Sequence, residues 1–216
     1  MCPAPSTPVF DRPADTLRAK YNEDLAKIRS RPELTQIAKT ARIAAVQKIL
    51  NARMAEAETA AKKAQQAEHA KNERIAFGID DLAVSPGDKA AVVMAHRDAL
   101  DKVSTITDPR EAAALVARAR TSGDETLVRA LVLHAHSQFV ASSFQSEDWH
   151  DVLGDAASSR PAAIEAINAL HAEAQHRAQA AEMFEFATVT PIELGRATTD
   201  SELDRIIAQD PSMGLV

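Results

Sequence analysis

From Pro32 to Arg74 the chain has no internal proline or glycine, is rich in alanine, and carries charge along its length. Such a run predicts one uninterrupted helix. At about 1.5 Å per residue it extends roughly 63 Å, longer than a small domain is wide. The chain therefore reads as a long helix with a helical body attached, and the fold class expected is all-α.

The apolar pattern changes along this helix. Leu34, Ile37, Ala41, Ala44 and Ala45 fall on one side, and Ile43, Val46 and Leu50 fall nearly opposite. One apolar stripe is normal for a surface helix, whereas two imply two neighbours, in this chain or another. Beyond Met54 the only apolar residues up to Arg74 are alanines, which bury little. That part is expected to project or to pack through an alanine seam, supported by pairs such as Glu58 with Lys62.

Upstream, residues 1–13 hold four prolines and little to bury, so an extended or disordered leader is expected. Leu17, Tyr21, Leu25 and Ile28 then form a helical stripe. Pro32 either starts the long helix in its first turn or kinks a continuous one. Gly78 is expected to close that helix with a left-handed cap.

The rest divides into a linker over 77–87, a body over 88–186 and a loose tail over 187–216. Four body helices are expected. The first, about 88–104, carries Val93, His96, Leu100 and Val103 at heptad-like spacing. The second begins at Asp108-Pro109-Arg110-Glu111, a cap residue, a first-turn proline and a nearby acid. It buries Ala112, Leu115, Val116 and Ala119. The third, about 124–143, uses Leu127, Val128, Leu131, Ala135 and Phe139. Trp149, Val152 and Leu153 mark a short helix or ordered loop. The fourth, about 161–186, sets Ile164, Ile167, His171, Ala174, Ala178 and Ala181 on one face. A short C-terminal helix fits 200–209, and Ala187 to Thr190 is the best strand candidate, too short to found a sheet.

The net charge of −6 conceals a split. Residues 1–76 carry 14 Lys and Arg against 9 Asp and Glu, whereas residues 77–216 carry 11 against 22. A basic arm over 14–76 thus precedes an acidic body.

No residue pattern nominates a reaction. Cys2 is the lone cysteine, which allows no internal disulfide, and no apolar signal segment precedes it. His134 and His136 are two apart, and His171 and His176 five apart, so neither pair shares a helix face as metal ligands require. His96 and His171 are expected on helix faces and the other histidines at the surface. No nucleophile motif or phosphate loop occurs, and Glu147, Asp148 and Asp151 read as solvated charge around Trp149. No catalytic residue, metal or cofactor is expected. No apolar run is long enough to span a membrane.

The expected role is that of a non-enzymatic structural or assembly protein acting through helix–helix association with a protein partner or with itself as a homo-oligomer. The residues expected to bind the partner are Leu34, Ile37, Ile43, Val46 and Leu50, with Lys39, Arg42 and Arg53 along the edge. The alanine-rich composition, with arginine over lysine, is reminiscent in style, though in no motif, of small helical scaffolding and virion components of tailed phages. The alternative is an adaptor or regulator whose basic arm binds nucleic acid or an acidic partner. The expected location is the cytoplasm, or a virion assembled there.

Overall fold

A computed structural model describes residues 13–82, 85, 87–141, 145–178, 185–197 and 199–211. Residues 1–12 of the expected leader, and Ala181 of the fourth body helix, lie outside them. The described residues form α-helices without strands. In chain order these are α1 (Pro13–Arg29), α2 (Gln36–Phe77), α3 (Lys89–Val103), α4 (Pro109–Ser122), α5 (Glu125–Ala141), α6 (Ser146–Ala157), α7 (Pro161–Ala178) and α8 (Asp200–Ile207). Single 3-10 turns lie at Asp80–Leu82 and Ile192–Leu194. Among the described residues no helix is long and apolar enough to cross a membrane.

The long helix is a single element of 42 residues. Its start differs from expectation. Pro32 lies in a turn between α1 and α2, and Thr35 opens α2 by accepting the Ala38 N–H at 3.2 Å. A threonine before the first turn supplies an acceptor for an N–H with no partner in the helix, which proline cannot do. At the other end, Gly78 is not left-handed; among the described residues positive φ occurs at Gly123 and Gly195. Gly78 is required by close approach, since an added Cβ would lie 2.2 Å from the Arg74 carbonyl oxygen.

The chain divides into two compact units, and the division falls inside α2. Unit 1 comprises residues 1–64 with 179–216, and unit 2 residues 65–178. Between Met54 and Ala76 no α2 residue is buried, as the alanine-only stretch foretells.

Unit 2 is built around α5, which packs against α3, α4 and α6. Its core includes Val103, Ile106, Val116, Val128, Leu131, Val132, Trp149 and Leu153. Helix α4 follows its local signals. Asp108 accepts the Arg110 N–H at 2.8 Å, Pro109 sits in the first turn, and Gly123 closes the helix at φ 70°. All four residues expected in its core are buried. In α3 the buried row is Val92, His96, Ala99 and Val103, partly or fully covered, which leaves Val93 exposed. The other three members of the heptad-like row, His96, Leu100 and Val103, are partly or fully covered. Trp149 lies within α6, so the helical alternative for that segment holds.

The last turn of α2 enters this core with Ala76 buried and Ile75 and Phe77 packed beside it. Its terminal carbonyls are met by two guanidiniums. Arg160 donates to Ala76 at 3.0 Å and to Ile75 at 2.6 Å. Arg129 donates to the Gly78 carbonyl and pairs with both Asp81 oxygens at 2.8 and 2.7 Å. Cations at a helix C-terminus satisfy the free carbonyls and complement the dipole. The Arg129 hydrogen bond, aided by its charge, holds the Asp81 carboxyl below its ordinary value.

Candidate functional site

The site grows from the α1–α2 pair in unit 1. Tyr21 and Leu25 of α1 are buried, with Leu17 and Ile28 partly covered. The facing row of α2 is Ile43, Gln47, Leu50 and Met54, spaced by four, three and four residues, with Ala44 beside it. Gln47 is the buried polar member, and it is satisfied. Its carbonyl accepts from the Tyr21 hydroxyl, and its amide nitrogen donates to Asn51 at 2.9 Å. Burial pushes the Tyr21 hydroxyl up to about 12, so it remains a donor across the ordinary pH range.

The second neighbour of α2 is the C-terminal segment. The tail expected to be loose contributes buried Leu194 and Leu203 and half-covered Ile206 and Ile207 to this core. Acid–base contacts fix it. Arg29 grips Glu193 with two hydrogen bonds, 2.6 and 2.9 Å, and Lys48 meets Asp204 at 2.6 Å. Arg18 donates to the Glu185 and Ala187 carbonyls, the latter at 3.2 Å. A capping box at Thr199 and Glu202 starts α8. Residues 187–190, the strand candidate, form no strand.

Away from the tail, α1 and α2 leave an open groove. One cleft, of about 230 Å³, is lined by Leu17, Lys20, Tyr21, Asp24, Val46, Ile49, Leu50 and Arg53. The adjoining cleft, of about 330 Å³, is lined by Asp24, Lys27, Ile28, Arg31, Arg42, Ala45 and Val46. Asp24 and Val46 line both, so the two clefts lie side by side. The floor is aliphatic, and Ile49 stands 56% exposed in it. Lys20, Arg42 and Arg53 form no ion pair among the described residues. Lys27 is paired with Glu23 at 2.6 Å, and its hydrogen bond, aided by the Lys20 charge, holds the Glu23 carboxyl below its ordinary value.

The eight residues expected to bind a partner are thus divided. Ile43 is buried in the unit 1 core. Val46, Leu50, Arg42 and Arg53 line the groove, Leu50 from its buried edge. Lys39 donates to the Arg29 carbonyl at 3.1 Å and so closes α1. Leu34 is half-buried in the connecting turn, and Ile37 is 59% exposed near the start of α2. Of the lining residues, only Arg42, Val46, Leu50 and Arg53 are among those expected to bind a partner; Ile49, Lys20, Leu17 and the rest of the α1 lining are not. Ile49 interrupts neither stripe on the α2 wheel and becomes visible as a floor residue only once α1 is placed.

In unit 2 the histidines come together from different helices. The His136 and His171 rings stack with centroids 5.0 Å apart and planes 5° apart. Phe77 packs on His136, and Phe139 packs on both His171 and His150. His134, His136 and His69 are half-buried rather than at the surface. His134 donates from Nε2 to the Ile106 carbonyl at 2.8 Å, and His69 lies 2.8 Å from Glu173. Single-helix wheels could not reveal these pairings. Among the described residues no group of three or more His, Cys, Asp or Glu is placed to hold a metal ion.

No protein-family model matches the chain, and no curated protein or solved structure is significantly similar to it. The functional reading therefore rests on the geometry of its own residues.

Proposed function

We propose that the protein is a non-enzymatic assembly protein acting by helix–helix association, with the α1–α2 groove as the seat for a helix of another molecule. The observation that carries this reading is the open aliphatic floor between two helices, rimmed by Lys20, Arg42 and Arg53. A helix seated there would cover Ile49 and Val46 and complete a three-helix arrangement. The groove's small, open clefts suit side chains of a partner better than an enclosed small ligand. The phage-type scaffolding or virion role belongs to the same proposal and rests on composition alone.

A photo-crosslinking residue placed at Ile49 tests the reading in cells that make the full chain, with Arg97 on α3 as the control position. Adducts to protein from position 49 and not from 97 are expected. Equal adducts from both positions, or none from 49, would count against the groove.

Lys20, Arg42 and Arg53, in no ion pair among the described residues, also favour a second reading, an adaptor that tracks a polyanion such as nucleic acid. Its mark would be binding that falls steeply with salt and is weakened by R42E/R53E. The groove favours protein because its one aromatic ring, Tyr21, is buried and offers no stacking surface.

A further inference from the structure

The chain already contains one worked instance of how α2 receives a helix, and it specifies what the groove would receive. Helix α8 is short, acidic and amphipathic. Leu203 is fully buried, Ile206 and Ile207 are half-covered, and Asp204 on its flank meets Lys48 of α2 at 2.6 Å. Beside it the arm takes Glu193 through Arg29. Among the described residues, each side-chain ion pair between arm and tail thus runs from a base of the arm to an acid of the tail.

The groove repeats that chemistry with no such acid in place. Its floor is aliphatic, and Lys20, Arg42 and Arg53 flank it as Lys48 and Arg29 flank the tail, in no ion pair among the described residues, with Glu23 near Lys20. Asp24 is the only lining acid, and Lys27 lies 3.9 Å from it. A basic or neutral helix would bring like charge to this rim or leave it unmatched, whereas an acidic flank would neutralise it. The run of α1 from Leu17 to Arg29 fits between three and four helical turns, on the order of 18 Å.

We infer that the groove binds an acidic amphipathic helix from a different protein, with a Leu/Ile seam on the floor and Asp or Glu flanks against Lys20, Arg42 and Arg53. This rests on the docking reading above and adds the partner's chemical class.

The test uses the full chain and two helix-stabilised synthetic peptides of about 15 residues with the same Leu/Ile seam. One is flanked by Asp and Glu, the other by Lys. Fluorescence anisotropy is expected to show micromolar binding of the acidic peptide, weakened about tenfold or more by R42E/R53E and by high salt. The Lys peptide is expected to bind at least about tenfold more weakly to the wild type and to regain affinity on R42E/R53E. That rescue separates a charge match from damage to the fold. If both peptides bind equally, and Ile49→Asp abolishes both, the groove docks helices without regard to charge, and the acidic-partner inference falls while the docking reading stands. If neither binds and sedimentation velocity shows groove-dependent dimers, a second copy is the occupant and the inference falls. If neither binds and the chain stays monomeric, both fall.

Discussion

Unit 2 buries Trp149, a row of Val and Leu from α4 and α5, and the capped end of α2; among its described residues the exposed large apolar side chains are Val93, Met94 and Val140. Unit 1 draws its core from a thinner set, in which Ile43, Leu50, Met54, Leu194 and Leu203 do most of the filling around Tyr21. Its contacts with the tail are reinforced by ion pairs at the surface. Unit 2 thus spends its side chains on closing its own core. Unit 1 spends one flank of α1–α2 on the tail and leaves the other as a groove. A core that closes on itself has little to offer a partner, whereas an open apolar floor remains available for one.

The strongest way to probe this contrast is to strike each core and read both units by hydrogen exchange. Trp149→Ala should destabilise unit 2 by about 3–5 kcal/mol and leave unit 1 exchange nearly unchanged. Equal loosening of both units would show that they unfold as one. In unit 1, Leu203→Ala should cost about 2–5 kcal/mol. Faster exchange should appear over 199–208 and in the α2 row at 43–54, but not in α4 or α5.

Acid should separate the units in a fixed order. Burial, then the neighbouring His171 charge, holds His136 below its ordinary 6.5, opposed by Glu73 of α2. Burial, then His150 of α6, lowers His171 likewise. With native values lowered, the unfolded chain binds more protons in this range, so stability rises with pH. The histidine contribution is whole above about pH 6.5 and is lost as pH falls below it. In unit 1, Glu193 is held below its ordinary 4.5, first by the Arg29 hydrogen bond. That contribution survives until pH falls beneath 4.5. Unit 2 should therefore loosen first on acidification, as measured by exchange between pH 7 and 4, and H136Q/H171Q should flatten its response. Loosening of unit 1 first would reverse the assignment.

The smallest effects concern the rim. R42E/R53E should change stability by no more than about 0.5 kcal/mol, as expected of surface substitutions, while removing docking. Thermal unfolding of this variant alongside its binding assay checks the separation.

Local chemistry made much of this fold legible. The Asp108-Pro109 start and Gly123 stop give α4 its limits, and the lack of breakers makes α2 a single element. The two expected stripes on α2 do not stay separate: one buried row through Ile43, Ala44, Gln47, Leu50 and Met54 shares a core with α1 and the tail, while Ile37 is exposed. The identity of the second neighbour was not legible, because Lys48 and Asp204 lie 156 positions apart and many acids could have served. The same limit hid the His136–His171 stack, which joins α5 to α7. For the candidate site, Arg42, Val46 and Arg53 could be read from the α2 wheel alone. Lys20 and Leu17 needed the placement of α1.

The central claim is that docking belongs to the α1–α2 groove and not to unit 2. Hydrogen exchange of the full chain with and without the acidic peptide tests it most directly. The account predicts slowed exchange over 17–31 and 42–53 and none over 109–170. Protection centred on α3–α7, with α1 and α2 unchanged, would contradict it.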